Sequence, residues 1–92
     1  MMINARSIAQ HELIGLECEV VESRNPSQRG VRGRVIDEGM NVIVIRTAKG
    51  DKKIEKKGTK LKFILGRGKV TLDGSSIAVR PEDRIKKRSR RW

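Results

Sequence analysis

The chain has 92 residues, and its 22 Lys and Arg residues outnumber its 11 Asp and Glu residues to give a formal net charge of +11. This length fits one small domain and excludes a two-domain enzyme. The single cysteine and single histidine exclude an internal disulfide and a zinc site. No apolar run approaches the roughly 18 residues that cross a bilayer, and the first residues lack the apolar region of a signal peptide. We expect a cytoplasmic domain without a metal, a cofactor or a membrane contact.

The excess of positive charge indicates a polyanionic partner, because a net charge of this size destabilises the compact state through self-repulsion. A solubility surface is the alternative, but balanced ion pairs cannot absorb a twofold excess of basic residues. The charge is also uneven: residues 1–23 carry −3, residues 49–69 carry +7 and residues 80–92 carry +5. This asymmetry predicts nucleic acid on the basic middle and tail, and a basic protein partner on the acidic N-terminal quarter.

Alternating apolar and polar residues predict short β-strands with a turn signal between each pair. In chain order, the predicted strands are residues 16–23, 31–38, 42–47, 52–57, 60–65, 69–72 and 76–80. The alternation turns Cys18 and Phe63 towards the core. The strand at 42–47 is apolar on both faces and is expected to be central. Because the chain is too short for two full sheets and closure removes exposed edges, the pattern predicts an all-β antiparallel barrel of about six strands.

Short helices are expected at both ends of this barrel. Residues 7–10 form a possible capping box, and Pro81 followed by Glu82 and Asp83 is typical of a helix start. The predicted organisation is therefore a helical or flexible N-terminal segment (residues 1–12), the barrel (13–80), and a short helix with a basic tail (81–92). We expect residues 1–12 and the tail beyond Lys86 to be mobile in the free protein and ordered in a complex.

Catalysis by the chain itself is not expected. It has one His and no Tyr, and its paired carboxylates fall at a hairpin and a helix start. The Gly66–Arg67–Gly68 segment is similar to a phosphate-binding loop, but residues 69–72 continue as a strand instead of opening a helix. With Phe63 inward and Trp92 at the last position, base stacking is also disfavoured, which leaves phosphate contacts and shape recognition.

These considerations give two sets of candidate contact residues. The predicted RNA contacts are Arg32, Arg34, Lys53, Lys56, Lys60, Arg67, Lys69, Arg84, Lys86, Lys87 and Arg88. The predicted contacts with a protein partner are Ile8, His11, Leu13, Ile14 and Leu16.

The sequence resembles the Sm-like barrel protein subunit of archaeal and eukaryotic ribonuclease P. The resemblance lies in the 11–16 segment, the Asn25–Pro26–Ser27 turn and the closing residues 80–84. Single residues that fit it are Val20, Val21, Ser23, Gly30, Gly33, Val35, Glu38, Asn41, Lys53, Lys56, Phe63 and Gly74. It covers residues 11–86 and departs at Gly39, where Thr is common, and at the 66–68 loop, where Pro is common. The short chain is typical of the archaeal form.

This resemblance implies an Sm-like or SH3-like barrel that is a non-catalytic subunit of a ribonucleoprotein. That enzyme removes 5′ leaders from precursor tRNA, and its RNA performs the metal-dependent cleavage. The implied partners are a small zinc-ribbon subunit, the specificity region of the ribonuclease P RNA, and its complex with precursor tRNA. An alternative is a ribosomal or translation-associated SH3-like protein, which the Gly33–Arg34–Val35 pattern also fits. A protein scaffold without RNA contact is disfavoured by the +7 segment.

Overall fold

The computed structural model describes residues 12–66 and 68–83, which form six antiparallel strands, two 3-10 turns and, at residues 81–83, a helical turn. The strands are β1 (Glu17–Ser23), β2 (Arg32–Glu38), β3 (Val42–Thr47), β4 (Gly50–Glu55), β5 (Thr59–Leu65) and β6 (Gly68–Asp73). Each of them corresponds to one of the first six predicted strands, with both ends within about two residues of the prediction. No helix in the described part of the chain is long and apolar enough to cross a membrane.

The strands form one sheet in the order β4-β3-β2-β1-β5-β6. An extra residue in β1 between Val20 and Glu22, and another in β2 between Val35 and Asp37, interrupt the register of pairing. Such bulges increase the twist of a strand and bend the sheet. The first five strands therefore pass around a shared core, as predicted for a small barrel.

The core lies on one face of this curved sheet. Its fully buried members are Leu13, Cys18, Val20, Val35, Ile43, Ile45, Ile54, Leu61, Phe63 and Ile77. Eight of these ten side chains come from β1 to β5, and the other two come from the segments before β1 and after β6. Because no layer of helices covers this face within the described residues, the sheet buries it by wrapping around itself.

The predicted strand at residues 76–80 is wrong, because the structure has a 3-10 turn at Gly74–Ile77. The Asp73 carboxylate accepts hydrogen bonds from the backbone N–H and the hydroxyl of Ser75, at 3.2 and 3.0 Å. These bonds lower the pKa of the Asp73 carboxyl and fix the turn. Gly74 permits a close approach, since a Cβ there would lie 1.8 Å from the carbonyl oxygen of Lys56. The turn brings Ile77 into the core instead of extending the chain along β6.

Cys18 is a buried core residue, as the alternation predicts. Burial, with a smaller contribution from the Glu19 carboxylate, raises the pKa of the thiol from 9.0 to about 12. We expect iodoacetamide at pH 8 to alkylate Cys18 far more slowly in the folded chain than in the urea-unfolded chain. Stability should also fall as the pH rises from about 9 towards 12, because only the unfolded thiol ionises there. Equal alkylation rates in the two states would contradict the burial.

Candidate nucleic-acid interface

One predicted RNA contact, Lys56, is not on the surface. Its side chain is fully buried, and its ammonium donates hydrogen bonds of 2.8 Å to a Glu38 carboxylate oxygen and to the carbonyl oxygens of Gly39 and Ile77. The Glu38 side chain is only 1% exposed. A buried charge of this kind persists only when it is paired and hydrogen-bonded. Lys56 is therefore not a candidate RNA contact. Its hydrogen bonds instead connect the β2–β3 hairpin to the segment after β6.

The candidate protein contacts near β1 are corrected in the same way. Leu13 is fully buried and Leu16 packs partly buried against the core, so both stabilise the barrel. Of the predicted partner contacts that the structure describes, only Ile14 is exposed, with 44% of its surface accessible. Ile8 and His11 lie outside the described residues. The available part of this predicted surface is therefore Ile14, with the exposed Glu12 and Glu17 close to it in sequence.

The outer face of the sheet carries basic residues that are already engaged by acidic residues. Lys60 lies 3.7 Å from Glu22 across the β1–β5 pair, and Lys62 lies 3.1 Å from Glu19 in the same pair. These pairs are solvent-accessible, and each contributes little to stability. These pairs lower the net positive charge that this face of the sheet presents to RNA.

The remaining predicted RNA contacts that the structure describes lie on different strands. The Arg34 guanidinium donates a 2.7 Å hydrogen bond to the carbonyl of Gly15. Lys53 is exposed on β4 and Lys69 is exposed on β6, and these two strands are at opposite ends of the sheet order. Arg67, Arg84, Lys86, Lys87 and Arg88 lie outside the described residues.

A basic groove lies between the β1–β2 connection and the β3–β4 hairpin. It has a volume of about 460 Å³, and four of its nine lining residues are basic: Arg29, Arg32, Lys49 and Lys52. None of its lining residues is acidic. We call this cavity the basic groove. Of its four basic residues, only Arg32 was predicted from the sequence to contact RNA.

Local hydrogen bonds fix the two connections that form the groove. The Asn25 side-chain oxygen accepts bonds from the backbone N–H and the hydroxyl of Ser27, at 3.1 and 2.7 Å, and this begins the 3-10 turn Pro26–Gln28. On the other side, the Thr47 hydroxyl donates to the carbonyl of Gly50 at 2.7 Å. Gly50 has a φ of +119°, a conformation that favours glycine at this turn.

The fold and the charge distribution define a small, basic, antiparallel β-barrel. The described residues contain no group of three or more His, Cys, Asp or Glu side chains that could hold a metal ion. The sequence profile of the family Ribonuclease P/MRP, subunit p29, matches residues 6–87, and the chain belongs to this family. The resemblance stated from the sequence is thereby confirmed.

Relatives of known name support the assignment over the full length of the chain. The ribonuclease P protein component 1 of Thermofilum pendens is 46% identical over 94 residues and is aligned over 100% of both chains. That of Methanosphaera stadtmanae is 43% identical over 88 residues, or 95% of each chain. A solved structure of Mth11, described as a homologue of human RNase P protein Rpp29, is 35% identical with a TM-score of 0.59. It covers 82% of this chain and 99% of its own.

Proposed function

We propose that this chain is an RNA-binding protein subunit of ribonuclease P, which supports the catalytic RNA in removing 5′ leaders from precursor tRNA. The observation that carries the proposal is its membership of the Ribonuclease P/MRP, subunit p29 family across residues 6–87. Relatives matched over nearly their whole length bear the name ribonuclease P protein component 1. A barrel with a net charge of +11 is physically suited to bind RNA phosphates.

In this proposal the chain binds and positions RNA, and the RNA performs the metal-dependent cleavage. The candidate contacts are Arg32, Arg34, Lys53, Lys60 and Lys69 on the barrel, together with the basic tail. Contacts of this type with phosphate oxygens set the position of a protein on RNA but carry no sequence information directly. The specificity region of the ribonuclease P RNA, alone or with bound precursor tRNA, is the proposed ligand.

The proposed protein partner is the small zinc-ribbon subunit of ribonuclease P. Residues 1–23 carry one basic residue against four acidic ones, which suits a partner of positive charge. The exposed Ile14 offers an apolar contact on this segment, and the exposed Glu17 lies close to it in sequence. Cytoplasmic localisation forms part of the same proposal.

We expect one stable RNA to co-purify with the tagged chain when it is isolated from its own cells. Sequencing of that RNA should identify the ribonuclease P RNA, with precursor tRNAs in smaller amounts. The matched control is a tagged ribosomal protein of similar size and charge, which should recover whole ribosomal subunits instead. Recovery of the same ribosomal RNA by both proteins would contradict the proposal and favour the translation-associated alternative.

A further inference from the structure

We infer that the basic groove is a binding site for the sugar–phosphate backbone of a single-stranded or looped RNA segment. The identity of the RNA rests on the proposed function, whereas the phosphate chemistry rests on the groove alone. Arg29 and Arg32 offer planar guanidinium groups that bind phosphate oxygens bidentately, and Lys49 and Lys52 supply point charges. Arg29 and Arg32 lie before and at the start of β2, and Lys49 and Lys52 belong to the β3–β4 hairpin, which the pairing of β2 with β3 holds beside them.

The acidic residues nearest to the groove in the sheet register are engaged by other cations. Glu19 is the cross-strand partner of Arg32, but its carboxylate lies 3.1 Å from the Lys62 ammonium on the opposite side of β1. Asp51 precedes Lys52, but its carboxylate lies 3.2 Å from the Arg46 guanidinium. Both of these carboxylates are therefore held by cations outside the groove.

This arrangement leaves a concentration of positive charge that favours an anionic ligand. Within the described residues, none of the four basic side chains of the groove forms an ion pair, in contrast to Arg46, Lys60 and Lys62 on the sheet face. Four like charges around one groove repel one another, and a bound polyanion relieves that repulsion. An RNA strand that releases its counterions on binding gains further free energy.

The lining of the groove also determines which part of the RNA it contacts. Besides the basic residues, it consists of Ser27, Gly30, Val31, Thr47 and Ala48, and it includes no aromatic side chain. Bases therefore have no stacking surface there, and recognition falls on the backbone. With a volume of about 460 Å³, the groove has room for a short segment of sugar–phosphate backbone.

Two variants with the same loss of charge test this inference. The groove variant carries Arg29→Gln, Lys49→Gln and Lys52→Gln, and the control variant carries Arg46→Gln, Lys57→Gln and Lys62→Gln, none of which lines the groove or belongs to the proposed RNA contacts. Both sets of residues are solvent-accessible, so circular dichroism and the thermal midpoint should confirm that both variants fold. The full chain is titrated separately with oligouridylate, with the ribonuclease P RNA and with precursor tRNA, at several salt concentrations.

We expect the groove variant to lose on the order of 100-fold in affinity for oligouridylate at 0.1 M salt, and its log–log salt slope to become shallower by about two. The control variant should lose less than about tenfold, because Arg46 and Lys62 are already paired with carboxylates and Lys57 lies outside the groove. Equal losses in the two variants, or no binding of oligouridylate by the unmodified chain, would overturn the inference.

The titrations with the ribonuclease P RNA and with precursor tRNA separate this inference from the proposed function. A larger effect of the groove variant on the ribonuclease P RNA than on precursor tRNA identifies the catalytic RNA as the source of the bound strand, and the reverse identifies the substrate. If the unmodified chain binds the ribonuclease P RNA no more tightly than an unrelated RNA of equal length, the proposed function fails. The groove inference is then still tested independently by the affinities of the two variants for oligouridylate.

Discussion

Replacing Lys56 with methionine should lower the free energy of unfolding by about 3–5 kcal/mol, as expected when one partner of a buried ion pair is removed. The change leaves the Glu38 carboxylate, only 1% exposed, without its ammonium partner. It also removes the donor to the carbonyl oxygens of Gly39 and Ile77. Urea denaturation monitored by circular dichroism measures the loss.

The adjacent Lys57 provides the matched control, because it is exposed and loses the same charge in Lys57→Met. That variant should stay within about 0.5 kcal/mol of the unmodified chain. Should Lys56→Met itself be too unstable to measure, the double variant Lys56→Met with Glu38→Leu should fold better, since replacing both partners by apolar residues removes the uncompensated charge. Equal stabilities of Lys56→Met and Lys57→Met would show that the buried pair contributes nothing.

RNA binding should weaken steeply with salt, because the proposed contacts are mainly to phosphates. About five phosphate contacts give a log–log slope near −4 on duplex RNA and a shallower slope on single strands, which is a loss on the order of 100-fold between 50 and 200 mM salt. Fluorescence anisotropy with labelled ribonuclease P RNA measures the slope. Circular dichroism at each salt concentration controls for unfolding. Affinity that stays flat over this range would indicate hydrogen-bond or stacking recognition instead.

The alternation of side chains correctly located six strands, but it also predicted a seventh at residues 76–80, which overlaps a 3-10 turn in the structure. For residues 76–80, short-range hydrogen bonds from Asp73 to Ser75, and the close approach of Gly74 to the backbone of Lys56, override the strand pattern. Composition alone does not reveal that approach, because it depends on where two distant segments meet. The predicted central strand, β3, is an interior strand but lies next to β4 at the edge of the sheet.

The burial of Lys56 and Glu38 has separate causes. Lys56 follows the buried Ile54 by two residues, so the strand periodicity itself indicates an inward side chain. Its positive charge nevertheless led to the prediction that Lys56 is an exposed RNA contact. Glu38 is different, because regular alternation from Val35 places it outward. The extra residue between Val35 and Asp37 reverses the faces and turns Glu38 towards the core.

The basic groove was missed because its residues are far apart in the sequence. Arg29 and Arg32 lie before and at the start of β2, and Lys49 and Lys52 belong to the next hairpin. The Gly39–Met40–Asn41 turn predicts antiparallel pairing of residues 32–38 with 42–47, and this pairing brings the two ends together. Following the predicted register to the ends of the strands would have indicated the groove, although not the pairing of its neighbouring acids.

The most direct test of the proposed function is cleavage of precursor tRNA by ribonuclease P reconstituted from its RNA and all its protein subunits, with this chain present or omitted. Omission should slow removal of the 5′ leader at physiological salt, and adding back the unmodified chain should restore it. The chain alone should produce no cleavage. An unchanged rate on omission would contradict its role as a subunit that supports the RNA. Metal-dependent cleavage by the chain alone, lost when its carboxylates are replaced, would contradict the assignment of catalysis to the RNA.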